Sequence, residues 1–151
     1  MSDINRQLLS ACQSGDLDSV KQSLTGGADI ACTDSGLDLS PLMLAFWHKH
    51  PTVINWLLDT YSDNNTVINQ VNKGGWIPLH FACRFSDNSD AVVRLAMLTG
   101  QVNKKNVAGR TPIMVAVVWN NLVTVQAMMT VPGVDWQARD NGGRSLKDVA
   151  R

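Results

Sequence analysis

The chain has 151 residues, 44% of them apolar, and its 13 basic and 13 acidic side chains cancel to zero net charge. That apolar content sustains a packed core and excludes a disordered chain, and no run approaches the roughly 18 consecutive apolar residues of a bilayer span. Met1 to Gln7 carries no charged-then-apolar secretion signal, and the widely spaced Cys12, Cys32 and Cys83 read as free thiols of a reducing compartment, the cytosol or nucleus.

Five alanines, Ala11, Ala45, Ala82, Ala116 and Ala150, recur at intervals of 34, 37, 34 and 34 residues. The middle three follow the phrases Ser40-Pro41-Leu42-Met43, Ile77-Pro78-Leu79-His80 and Thr111-Pro112-Ile113-Met114. Self-similarity near 33 residues with such a phrase predicts an all-α solenoid of helix–turn–helix units, which has a binding surface rather than a catalytic crevice.

In chain order, the first pair of helices is expected at about 6–14 and 17–25, without a Pro phrase and with a polar surface around Gln13, Ser14, Asp16 and Asp18 that suits an N-terminal cap. The second pair is expected at about 41–49 and 52–61, followed by a long connection from Tyr61 to Thr66. The third, at about 78–85 and 89–99, has extra residues between its helices near Ser86 to Ser89. The fourth is expected at about 112–119 and 122–130. In the outer helices, Val53, Ile54, Leu57 and Leu58, and Val125, Met128 and Met129, have the spacing of a buried stripe. Pro in a first turn loses no hydrogen bond and the preceding Ser or Thr caps it. Positive φ is expected at Gly26, Gly75, Gly109 and Gly143.

Residues 145–150 look like the inner helix of a fifth unit. It is either a degenerate cap or the point where a longer protein is cut, and the apolar fourth unit, which needs a cover, favours the second. Charge is uneven: residues 1–65 carry eight Asp against Arg6, Lys21 and Lys49, and residues 66–151 carry five Asp against ten Lys or Arg. That asymmetry has two readings: a dipole that orients a charged partner on approach, or, the favoured one, scattered surface charge that keeps the chain soluble.

The repeat resembles the ankyrin repeat over nearly the whole chain. Asn106-Val107-Ala108-Gly109-Arg110-Thr111-Pro112 keeps the family spacing with Asn for the leading Asp, Asn72 to His80 keeps it with Ile77 for Thr, and Gly27-Ala28-Asp29-Ile30 and Gly133-Val134-Asp135-Trp136 echo the closing phrase. The resemblance implies four repeats, at about 4–36, 37–73, 74–107 and 108–141, a partial fifth at 142–151, and short β-hairpin-like fingers, in one domain. It also implies a non-catalytic scaffold or adaptor that grips a protein or peptide through its fingers and the exposed inner-helix positions.

Carried onto this chain, those inner-helix positions are Gln13-Ser14, Trp47-His48, Arg84-Phe85 and Val118-Trp119. Trp47, Phe85 and Trp119 are expected to form a diagonal ladder across the concave face, spanning about 20 Å at helix spacings of roughly 8–10 Å. The fingers add Lys73, Trp76, Arg110 and Arg144, together with Val107 and Asn141. Trp76 beside Arg and Lys suits an acidic, partly apolar peptide. Trp56 and Trp136 are read as structural.

No elbow serine, phosphate loop or zinc-protease phrase is present, so no catalytic residue and no cofactor is assigned. His80 and Cys83 share a helix face, but two ligands do not make a metal site, and His48 and His50 are not expected to converge. Asn69 and Asn103 resemble the Asn that an asparaginyl hydroxylase modifies in many ankyrin proteins, or else simply brace the hairpin. A single, monomeric domain with no nucleic-acid or membrane partner is expected, since the acidic first half opposes the basic second. Two alternatives stay open: a small-ligand or methyl-lysine reader, disfavoured by the cations on the same surface, and the regulatory N-terminal domain of a larger enzyme or channel.

Overall fold

Short polar side chains set where the helices begin. Ser2, Asp16, Ser40, Asn64, Asn88, Thr111, Asn121 and Ser145 each accept a hydrogen bond from a backbone N–H two or three residues on, satisfying donors that a helix start leaves free. Pro41, Pro51, Pro78 and Pro112 occupy first-turn positions where the missing N–H costs nothing.

The computed structural model describes residues 1–150 and contains helices but no strand among them. The helices are α1 (Asp3–Ser14), α2 (Leu17–Thr25), α3 (Pro41–Trp47), α4 (Pro51–Thr60), α5 (Asn65–Asn69), α6 (Pro78–Phe85), α7 (Ser89–Thr99), α8 (Pro112–Val118), α9 (Leu122–Met128) and α10 (Leu146–Val149). An inner row stacks in the order α1, α3, α6, α8, α10, and an outer row in the order α2, α4, α7, α9. This is a helix–turn–helix solenoid.

The periodic alanines lie at the centre of the inner row. Ala45, Ala82 and Ala116 have no exposed surface and Ala11 has 4%, because a methyl group lets neighbouring helices approach closely. Ala150 departs from the pattern: it follows the end of α10 and is exposed, while Val149 is the buried residue there. Leu8, Leu42, Met43, Leu79 and Ile113 fill the space between inner and outer rows together with Val53, Leu57, Leu58, Val92 and Leu95, while Met114 packs with Ala138 and Val149. Each such side chain contributes roughly 1.5–3 kcal/mol on burial.

Several expectations needed correction. The connection after α4 contains a further helix, α5, because Asn64 caps it and Val67 and Ile68 are buried against α6 and α7. The first helix starts at Asp3 rather than Arg6, since Ser2 accepts from the Asn5 N–H. The inner helices α3 and α8 stop at Trp47 and Val118, one or two residues early, and the chain reverses through left-handed residues at Lys49 (φ 59°) and Asn120 (φ 54°). Gly15 (φ 80°) does the same after α1. Gly26 is not a positive-φ position, with φ −75°; its neighbour Gly27, at 101°, takes that role.

The fingers are turns stacked edge to edge. Asp34, Asn72, Asn106 and Asp140 lead them, and one side-chain oxygen of each accepts two backbone N–H groups of its own turn at 2.9–3.2 Å. Successive fingers are joined by the bonds Lys73 N–H to Leu37 O (3.3 Å), Val107 N–H to Gly74 O (3.0 Å) and Asn141 N–H to Ala108 O (3.0 Å). A Cβ on Gly75 would stand 2.9 Å from the Val107 nitrogen, and one on Gly109 2.5 Å from the Asn141 nitrogen. Close stacking, and not only positive φ, therefore requires glycine at both.

Candidate functional site

The concave ends of the inner helices carry a row of rings, but its pairing differs from a simple ladder. The residue ending α3, Trp47, stacks on Phe85 at the end of α6, with ring centres 5.2 Å apart and planes 14° from parallel. Arg84, the residue equivalent to Trp47 one unit on, lays its guanidinium over Trp119, 3.8 Å from the ring centre, and lies 4.6 Å from Phe85. The order along the surface is thus Trp47, Phe85, Arg84, Trp119. The stagger arises because α6 runs through Phe85, where α3 and α8 have already ended, and the extended Ser86–Asn88 connection replaces the left-handed reversal. Asn121 holds that connection by donating its amide to the carbonyls of Cys83 (3.0 Å) and Ser86 (2.8 Å).

Beside this row lies a cavity of about 200 Å³ lined by Leu37, Trp47, Asn72, Gly74, Trp76, Phe81 and Arg84. Phe81 is 3% exposed and forms its floor. Trp76 leans on Phe81 with ring centres 5.1 Å apart and planes at 52°, and Trp47 lies 6.1 Å from the same ring. Offset and tilted ring pairs of this kind are favourable beyond their buried area, so the walls are held by one another. The volume is below the roughly 300–1,000 Å³ typical of small-molecule sites and suits one inserted side chain. A larger groove of about 580 Å³, between α1 and α2, is lined by serines, glutamines, Arg6 and Asp16, with Ala11 its one apolar side chain and no aromatic ring.

The remaining predicted residues divide between finger and helix surfaces. His48 is exposed, its ring 6.3 Å from Trp47, and since α3 ends before it, it comes within 6.4 Å of His50. Lys73 is exposed on its finger, its ammonium donating to the Gly36 carbonyl at 3.1 Å. Arg110 is half-buried, with Nε 3.9 Å from the Asp140 carboxylate. Arg144 pairs with the same carboxylate at 2.9 Å. The Arg144 and Gly142 backbone N–H groups, with the Arg144 side chain, hold Asp140 below the usual carboxylate range. Val118 is half-buried and packs with Met114, Ala138 and Val149. Trp119 is 51% exposed. Trp56 packs against Tyr61 in the outer row, whereas Trp136 is 39% exposed.

Phe81 and Leu37 were not among the residues singled out in the sequence. Phe81 had a signal: it sits four residues before Phe85, a spacing that puts two rings on one helix face. Leu37 had none, since its finger turn, with Asp38 at φ 59°, matches no phrase of the repeat.

His80 is fully buried and spends both ring nitrogens on the scaffold. Nδ1 accepts from the Ile77 N–H at 3.1 Å and Nε2 donates to the Arg110 carbonyl at 3.1 Å, tying α6 to the next finger. Burial pulls its pKa down to about 4, so the ring is neutral. Asn69 donates to the Thr99 carbonyl (2.8 Å) and accepts from the Thr99 hydroxyl, and Asn103 donates to the Gly133 carbonyl (2.7 Å) while accepting from the Asp135 N–H (2.8 Å). Both amides therefore brace neighbouring turns. The three cysteines are unpaired and buried; burial raises Cys12 to about 12 and Cys32 to about 11, and pushes Cys83 up as well. Such thiols are poor nucleophiles. No helix among the described residues is long and apolar enough to cross a membrane.

The family model for ankyrin repeats, in three copies, matches the chain over residues 8–106 and again over 67–140. No curated protein matches it.

Proposed function

The chain belongs to the ankyrin-repeat family, whose members are generally protein-interaction modules, and on that footing we propose that it binds a peptide or protein across the concave face and fingers of its second to fourth repeats. The repeats in this reading are about 4–36, 37–73, 74–107 and 108–141, with a partial fifth at 142–151, in one monomeric, non-catalytic, cytosolic or nuclear domain that acts as a scaffold or adaptor. One observation carries the proposal: a side-chain-sized aromatic pocket opens beside a continuous ring surface, Trp47, Phe85, Arg84 and Trp119. Trp, Tyr and Arg dominate interface energetics, at about 2 kcal/mol or more each on truncation. Lys73, Trp76, Arg110, Arg144, His48 and Val118 complete the surface. A methyl-lysine reader is disfavoured by the pocket itself, since its single charged lining residue is the cation Arg84.

The test compares affinity purification with the wild type and with a Trp47→Ala/Trp119→Ala variant whose helical circular dichroism matches the wild type. Proteins captured by the wild type and lost by the variant support the assignment. Equal capture by both removes it.

A further inference from the structure

Among the described residues, Arg84 stands apart from the other guanidinium groups. Arg6, Arg94, Arg110 and Arg144 each lie within 4.0 Å of a carboxylate, and Arg139 donates to the Gly143 carbonyl. Among the described residues, no ion pair or side-chain hydrogen bond involves the guanidinium of Arg84. Its guanidinium carbon instead lies over the rings of Trp119 and Phe85, 3.8 and 4.6 Å from their centres. Stacking occupies the faces of a planar guanidinium and leaves its N–H edges directed outward, in the fork geometry that matches a carboxylate. Arg84 also lines the aromatic pocket, so its donors border the space an apolar side chain would enter.

We infer that the concave pocket reads an internal acidic residue of its partner, with an apolar side chain seated among Trp47, Trp76, Phe81 and Leu37 and a neighbouring Asp or Glu carboxylate on the Arg84 guanidinium. This rests on the proposed concave-face binding and deepens it.

The source of the carboxylate is decided by the donors available. A chain-terminal carboxylate is typically captured by a nest of free backbone N–H groups. At this pocket those groups are already engaged: Asn72 N–H by the Trp76 carbonyl, Lys73 N–H by Leu37, Gly74 and Trp76 N–H by the Asn72 side chain, and Gly75 N–H by the Asn72 carbonyl. Arg84 is the one cation lining the cavity, which is fewer donors than a phosphoryl dianion gathers. A single side-chain carboxylate matches that donor set. It also lets the partner chain continue past the pocket in both directions.

The experiment is a selection of random dodecapeptides, displayed with no free C-terminus, on the intact wild-type chain. Peptides enriched on the wild type are counter-screened on Trp47→Ala/Trp119→Ala. The expected consensus has an apolar residue with Asp or Glu within about three positions. The best sequence is then synthesised with both ends blocked, in its acidic form and with Asp→Asn or Glu→Gln, and titrated against wild type and Arg84→Gln. The amide form should bind the wild type at least tenfold more weakly, and the two forms should bind Arg84→Gln within twofold of each other. An equal loss on both proteins overturns the pairing with Arg84. A consensus that is apolar without an acid, or one that demands a free C-terminal carboxylate, overturns the inference and leaves concave-face binding standing. Peptides bound equally by Trp47→Ala/Trp119→Ala, or no common sequence at all, overturn both.

Discussion

Lowering the pH should loosen this protein through one imidazole, and the size of the effect follows from the geometry of His80. In the folded chain the ring is buried, accepts at Nδ1 and donates at Nε2. Protonating Nδ1 would break the bond from the Ile77 N–H and place an uncompensated charge in the core. The folded-state pKa is about 4 against an ordinary 6.5. The unfolded chain therefore binds a proton first, so stability is complete above about pH 6.5 and declines as pH falls from there toward 4. Between pH 7 and pH 5 the unfolded imidazole becomes almost fully protonated while the folded one stays mostly neutral. At about 1.36 kcal/mol per pKa unit, that interval costs ~1.8 kcal/mol. With a urea dependence of roughly 1–3 kcal/mol per molar, the unfolding midpoint should drop by about 1 M. Asp16, Asp140 and Asp148, held below their ordinary 3.8 by hydrogen bonds, lose their contribution only at lower pH and do not interfere. The assay is urea unfolding followed by circular dichroism at both pH values, for wild type and His80→Gln. The variant should be less stable at pH 7 but lose clearly less between pH 7 and pH 5, since the other two histidines are common to both proteins. If the two proteins lose stability in parallel, the account of a buried neutral ring tying α6 to the next finger is wrong.

Two further expectations concern the fingers. Gly109→Ala should destabilise by more than the roughly 1–2 kcal/mol of a left-handed alanine, because the new methyl group meets the Asn141 backbone nitrogen at 2.5 Å, whereas Gly143→Ala, with nothing within 4 Å, should cost the conformational term alone; thermal melts of the two would refute the stacking argument if they coincide. Asn106→Ala should cost on the order of 2 kcal/mol by stranding the Ala108 and Arg110 N–H groups, while Asn106→Asp should stay within about 0.5 kcal/mol, since Asp140 and Asp34 do the same work in their own fingers. Chemical denaturation of both variants, with amide exchange at Ala108 and Arg110, separates these outcomes.

The sequence by itself determined the solenoid, the spacing of its helices and most of the residues at its centre, although Met129, expected in a buried stripe, is 69% exposed. These depend on local chemistry that repeats: Pro in a first turn, Ser or Thr as cap, alanine where helices touch, glycine where fingers stack. Helices α2, α6 and α7 have the boundaries read from residue types alone, and the presence of rings near the ends of the inner helices was legible in the same way. The extra helix α5 was hidden because its stability lies in burial of Val67 and Ile68 against α6 and α7, which a short segment between two repeats does not advertise.

Only the tertiary structure decided which rings meet. Extending α6 to Phe85, with a longer connection behind it, turned an expected ladder of three aromatics into a stack that hands over to a guanidinium, and set Phe81 and Leu37 around a pocket that no single repeat encodes. Contacts of that kind join residues some 35 positions apart. Their partners are chosen by the offset between neighbouring units, a quantity that local propensities leave open and that packing of the whole stack resolves.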